Sequence, residues 1–116
     1  MDNKPVDSRD FRRLLEFTDR FSHYQQIPPC ALQCFPDDMR EIYRTKQGNL
    51  DDRRYEWITA NLHIENTTVA DLGANLGYFT LRLASEFGAH VDAYEPLLEY
   101  GELIRWFSEM CDLDSK

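Results

Sequence analysis

The run Val69-Ala-Asp-Leu-Gly-Ala-Asn-Leu-Gly-Tyr-Phe-Thr80 constrains this chain more than any other segment. Residues 69–72 are short, apolar and followed at once by Gly73, which suits a buried parallel strand entering a tight turn. Residues 77–87 place Phe79, Leu81, Leu83 and Ala84 at helical spacing, and Gly88 is a ready stop. Residues 90–94 form a second short strand, closed by Glu95. The order predicts two parallel, adjacent strands joined by a right-handed helical crossover. At the carboxyl edge of such a unit a backbone turn and helix amides converge, which is the local architecture of a nucleotide-type ligand site.

Upstream, residues 8–26 carry Phe11, Leu14, Leu15, Phe21 and Tyr24 at helical spacing, with Asp7 or Ser8 as N-cap. Pro28-Pro29 is expected to end that helix, and residues 27–35 to run extended. Pro36-Asp37-Asp38 starts a second helix, with acids at the positive end of its dipole and Gly48 as its stop. Asn49 or Asp51 caps a third helix through about Leu62, with Tyr55, Ile58 and Leu62 on one side. Residues 97–113 predict a last helix bearing Leu98, Leu103, Ile104, Trp106, Phe107 and Met110. The fold class expected is therefore α/β: a helical N-terminal segment over residues 1–62, then a partial Rossmann-like β-α-β-α unit over residues 63–116 with an incomplete sheet. Two strands alone are marginal and leave unpaired edges. The last helix has more apolar surface than one such face can cover, so self-association, or pairing with a missing part of the domain, is expected.

Charge limits the partners. Residues 1–60 hold 10 Lys/Arg against 11 Asp/Glu, and residues 61–116 hold 3 against 10. The half with the glycine turn therefore repels polyanions, and strong nucleic-acid binding is not expected of it. Arg12-Arg13 and Arg53-Arg54 are flanked by acids and read as solvated helix faces. No apolar run approaches the roughly 20 residues that span a bilayer, and residues 1–7 lack a hydrophobic signal core. The expected location is the cytoplasm. Cys30, Cys34 and Cys111 make an odd count without framework spacing, so reduced thiols are expected and a zinc site is not. Trp57, Trp106 and Phe107 read as core residues. His23, His63 and His90 have no visible partner, and no general base can be assigned.

The turn itself points to a ligand. Gly73 permits dihedral angles that a side chain opposes, and Gly77 is expected to let a ligand approach the first helical turn. Asp71, at the end of the first strand, can accept hydrogen bonds from an ammonium group. Glu95, at the end of the second, can hold two vicinal ribose hydroxyls. Two acids with no phosphate-gripping Lys or Arg imply a ligand with a positive end and a ribose.

Asp71-x-Gly73-x-Asn75-x-Gly77 followed by Glu95 resembles the first two motifs of class I S-adenosylmethionine-dependent methyltransferases. Gly-Ala-Asn-Leu-Gly-Tyr-Phe-Thr looks especially like the FkbM-type branch, in which Asn commonly replaces the middle glycine. The resemblance covers residues 67–100, roughly 30 % of the chain. It implies S-adenosylmethionine as cofactor. Asp71 and the backbone of Gly73, Ala74, Asn75 and Gly77 would hold its methionine part, Glu95 its ribose, and Pro96-Leu97 would lie near its adenine. Tyr78 either lies over the cofactor or packs in the core. The implied reaction is methyl transfer to an oxygen or nitrogen of a substrate, with a small-molecule or glycan-like acceptor in view. Such enzymes have about seven strands, and the later motifs have no counterpart here, so the chain is expected to be inactive alone.

Other readings remain open at this stage. A nicotinamide site calls for Gly-x-Gly-x-x-Gly, which Gly73, Asn75 and Gly77 do not fit, and its pyrophosphate disfavours Asp71 nearby. A Walker loop is excluded for want of Gly-Lys-Ser/Thr. The two glycines can also do no more than shape a turn, with Glu95 solvated. A non-catalytic module that docks a partner through its open sheet edge is the second functional expectation.

Overall fold

The computed structural model of the protein describes residues 25–46 and 48–113, together with Arg13 and Glu16. The helix expected over residues 8–26 lies outside the described residues, apart from Arg13 and Glu16, which are helical and exposed. Five helices and two strands follow. They are α1 (Pro29–Leu32), α2 (Asp37–Lys46), α3 (Leu50–Asn61), β1 (Thr68–Leu72), α4 (Tyr78–Phe87), β2 (His90–Tyr94) and α5 (Leu98–Met110). The chain is mixed α/β, with a two-stranded parallel sheet in the register Thr68↔His90 through Leu72↔Tyr94.

Residues 27–35 are not extended, which corrects the sequence expectation. Pro28 sits at φ −56° and ψ 136° as the N-cap, and Pro29 opens α1 at its first position. Proline there gives up only an amide that would lack a helical partner anyway, so the pair starts a helix rather than merely ending one. The glycine stop of α4 is observed: Gly88 adopts φ +64°, and its amide donates to the Ala84 carbonyl.

Two apolar clusters meet on α4. Leu76 and Leu81 join Ile27, Ala31, Phe35, Tyr43, Tyr100 and Phe107 in one. Tyr78 and Leu83 join Tyr55, Ile64 and Ala89 in the other, with Val69 and Val91 packed beside them. The first cluster mixes residues from both sides of position 62, so the upstream helices and the β-α-β-α unit share one core. It also covers α5: Phe107 is fully buried, with its ring centroid 6.2 Å from Phe35 and 5.5 Å from Trp106. The upstream segment thus covers part of the apolar surface of α5, while Leu98 at its start stays exposed.

The sheet is less covered than a buried parallel strand implies. Val69, Asp71 and Val91 are half-buried on the side of α4, whereas Thr68, Ala70 and Leu72 with His90, Asp92 and Tyr94 are exposed on the other. Leu72 is 77 % exposed. Trp57, expected in the core, is 65 % exposed on α3, and Leu62 is also exposed; Tyr55 alone of that expected stripe is fully buried.

The thiol expectation is corrected as well. Cys30 and Cys111 form a disulfide across 81 residues, and only Cys34 is free. Sequence spacing could not reveal the pair, because the packing of α1 on the end of α5 brings the two Cα atoms to 5.5 Å. No described helix is long and apolar enough to cross a membrane.

Candidate functional site

The turn between β1 and α4 is built from alternating left-handed residues. Gly73, Asn75 and Gly77 have φ of +71°, +56° and +79°. Glycine takes this region without steric cost, and asparagine is among the few side-chain-bearing residues that tolerate it. The Gly-x-Asn-x-Gly spacing is therefore a dihedral requirement written in residue types. The amides of Gly73 and Ala74 both donate to the Tyr94 carbonyl, at 2.8 and 3.1 Å, which staples the turn to the end of β2. Ala74 itself is fully buried.

The two glycines differ in what surrounds them. A Cβ on Gly73 would meet nothing within 4 Å, whereas one on Gly77 would stand 3.0 Å from Cγ1 of Ile104. The close approach at Gly77 is thus made by Ile104 of α5. Gly73 is the open one.

Glu95 holds both turns at the carboxyl edge of the sheet. Its Oε1 accepts from the Asn75 amide and its Oε2 from the Leu97 amide, each at 2.9 Å. A carboxylate has about four acceptor positions, so two remain after these bonds. Charge-assisted bonds to backbone amides fix the carboxylate's orientation. Asp71, half-buried at the end of β1, accepts from the Thr80 hydroxyl at 2.7 Å through Oδ2. Its Oδ1 has no partner among the described residues. Pro96 is exposed beside Glu95.

Three residues missing from the sequence reading support this turn. The Gln25 side chain accepts from the Tyr78 amide at 3.2 Å, capping α4 from far upstream, and the Gln25 amide points at the Asn75 side-chain oxygen 3.5 Å away. Thr80 orients Asp71. Tyr100, on the first turn of α5, lies beside Asn75: burial pushes its hydroxyl pKa up, the hydrogen bond with Asn75 opposes this, and Glu95 and Glu99 add to the rise. Thr80 could have been suspected, since it sits on the first helical turn nine residues after Asp71. Nothing local marks Gln25.

Tyr78 is fully buried, and only its main chain belongs to the turn. Its hydroxyl donates to Asp52 and accepts from Arg82 Nη1 at 2.6 Å, and the Arg82 guanidinium lies 4.1 Å over the Tyr55 ring. Arg82 is thereby turned away from the site. Among the described residues, no Lys or Arg donates to residues 73–77 or to Glu95. An edge with two acids and most turn amides already bonded disfavours phosphate and suits a ligand with a cationic end and hydroxyls.

Compared with family models, with curated proteins and with solved structures, the chain matches none.

Proposed function

We propose that this chain carries the S-adenosylmethionine-binding part of a class I methyltransferase, the partial Rossmann-like unit being residues 63–116. The observation that carries the reading is the turn with positive φ at 73, 75 and 77, gripped by Glu95 at the end of the neighbouring parallel strand. In this reading Oδ1 of Asp71 meets the ammonium group of the cofactor. The outward lone pairs of Glu95 meet the ribose hydroxyls, and Pro96 borders the adenine. The cofactor supplies an electrophilic methyl group. The chain's own contribution is to bind and align, with the acceptor an oxygen or nitrogen of a small molecule or glycan. The proposed location is the cytoplasm. The disulfide pulls against it, since such bonds persist mainly in oxidising compartments.

Calorimetry with S-adenosylhomocysteine tests the reading. The chain should bind it, and Glu95→Ala should weaken binding at least about tenfold, because bonds to charged groups contribute about 1.5–3 kcal/mol each. Circular dichroism must accompany this variant, since it also removes two backbone staples. Asp71→Asn keeps an acceptor for Thr80 and loses only charge, so it should weaken binding less while leaving the fold intact. No binding by the unaltered chain, or full affinity in a folded Glu95→Ala, refutes the proposal.

The open face of the sheet favours a second reading. Leu72 and Tyr94 lie exposed at its carboxyl end, which suits a non-catalytic module docking a partner or a second copy there. Light scattering over a concentration series separates self-association from a stable monomer.

A further inference from the structure

The upstream segment and α5 meet at three sulfurs. Cys30 belongs to α1, Cys111 is the C-cap of α5, and their disulfide joins the two elements. Cys34 lies one helical turn past Cys30, is exposed and is free. Its Sγ stands 3.5 Å from the carbonyl oxygen of Cys30 and 3.6 Å from that of Met110. Met110 adjoins Cys111, so the free thiol lies against the main chain at both half-cystines.

We infer that Cys30, Cys34 and Cys111 form a thiol–disulfide exchange site in which Cys34 replaces Cys30 as the partner of Cys111. Cys34 gives its proton to solvent, and the thiolate attacks Cys111 Sγ. A Cys34–Cys111 bond forms as the Cys30–Cys111 bond breaks. The electron pair leaves on Cys30 Sγ, which takes up a proton. One disulfide replaces another, so no oxidant or reductant is consumed. Both forms tie the same turn of chain to the end of α5, so the core between Phe35 and Phe107 stays closed during exchange. Cys30 and Cys111 are half-buried and Cys34 is exposed. Cys34 is therefore also the sulfur that a small-molecule disulfide such as oxidised glutathione reaches first.

Peptide mapping tests this. The oxidised full chain, free of reductant, is held at mildly alkaline pH, quenched with acid, labelled with a maleimide and digested with pepsin in acid to prevent scrambling. Two populations are expected: Cys34 labelled with Cys30–Cys111 intact, and a measurable fraction with Cys30 labelled and Cys34–Cys111 joined. Label on Cys34 alone at every time overturns the inference. So does a Cys30–Cys34 bond with Cys111 labelled. A Cys30→Ser variant, checked for folding by circular dichroism, provides a second readout. Given oxidised glutathione, it should close a Cys34–Cys111 bond and release two glutathione thiols per molecule of oxidant consumed. Two mixed disulfides that never close would overturn the inference independently.

Discussion

The helical cluster around Phe35 and Phe107 and the two-stranded sheet beside it face opposite situations. In the cluster, α1, α2 and α5 enclose a fully buried aromatic group, and a disulfide closes the rim. In the sheet, α4 covers one face, while the other presents Leu72 and Tyr94 at 77 % and 56 % exposure. The difference teaches that the upstream helices cover much of α5 but leave the second face and the outer edges of the sheet without a neighbour among the described residues. A helix such as α5 needs apolar contact from any element of the right shape. A strand edge needs backbone partners in register, and only another strand supplies them.

The largest expected effect breaks this comparison if it fails. Phe107→Ala should destabilise the chain by about 3–5 kcal/mol in urea unfolding, the usual cost of emptying a buried aromatic site. Tyr94→Ala should change stability by less than about 0.5 kcal/mol, as for exposed positions without a special contact. Equal losses would mean that the open face is covered in solution.

The next effect sharpens the comparison at the turn where both regions meet. Gly77→Ala forces a side chain into the left-handed region and against Ile104, and should cost about 2 kcal/mol or more. Gly73→Ala carries the same backbone strain with open space around it, and should cost nearer 1 kcal/mol. A reversed order in thermal unfolding would show that α5 does not rest on Gly77. The pair also separates folding from binding. Gly73→Ala narrows the open side of the turn, where the proposed cofactor lies.

What could be read from the residues alone follows the same divide. β2 was expected over 90–94 and occurs there, β1 starts one residue earlier than expected, and Gly88 ends α4 in the left-handed region. The turn was legible because dihedral demands are local and are met by few residue types. The α1 helix was missed because Pro28-Pro29 can end one helix and begin another, and only contacts of Ala31 and Phe35 with distant residues decide for the second. Gln25, the disulfide and the exposure of Trp57 were illegible for one reason. Each depends on which segments pack together across 50 or more residues, or on a face left without a neighbour. The second acid of the site was legible in type, but its bonds to Asn75 and Leu97 were not.

The smallest effect concerns the first turns of α4, where Tyr78 and Tyr55 pack against Asp52 and Arg82. Burial is the first cause of a raised hydroxyl pKa at both tyrosines; at Tyr78 the bond to Asp52 adds to it and Arg82 opposes it. Folded, these groups hold their protons above the ordinary tyrosine value of 10.0, at which the unfolded chain releases its own. The folded state then binds more protons than the unfolded one. Stability present below that pH must fall as pH rises past it. Tyr78→Phe should cost about 1 kcal/mol at neutral pH through the lost hydroxyl bonds, with Asp52 and Arg82 still paired at 3.2 Å. It should also flatten the alkaline decline, leaving the share that belongs to Tyr55. Urea unfolding at neutral pH and above the tyrosine range measures both. An unchanged alkaline slope in Tyr78→Phe would show that this hydroxyl is not held against Asp52 inside the fold. Tyr78 would then be free to swing toward the turn and the proposed cofactor.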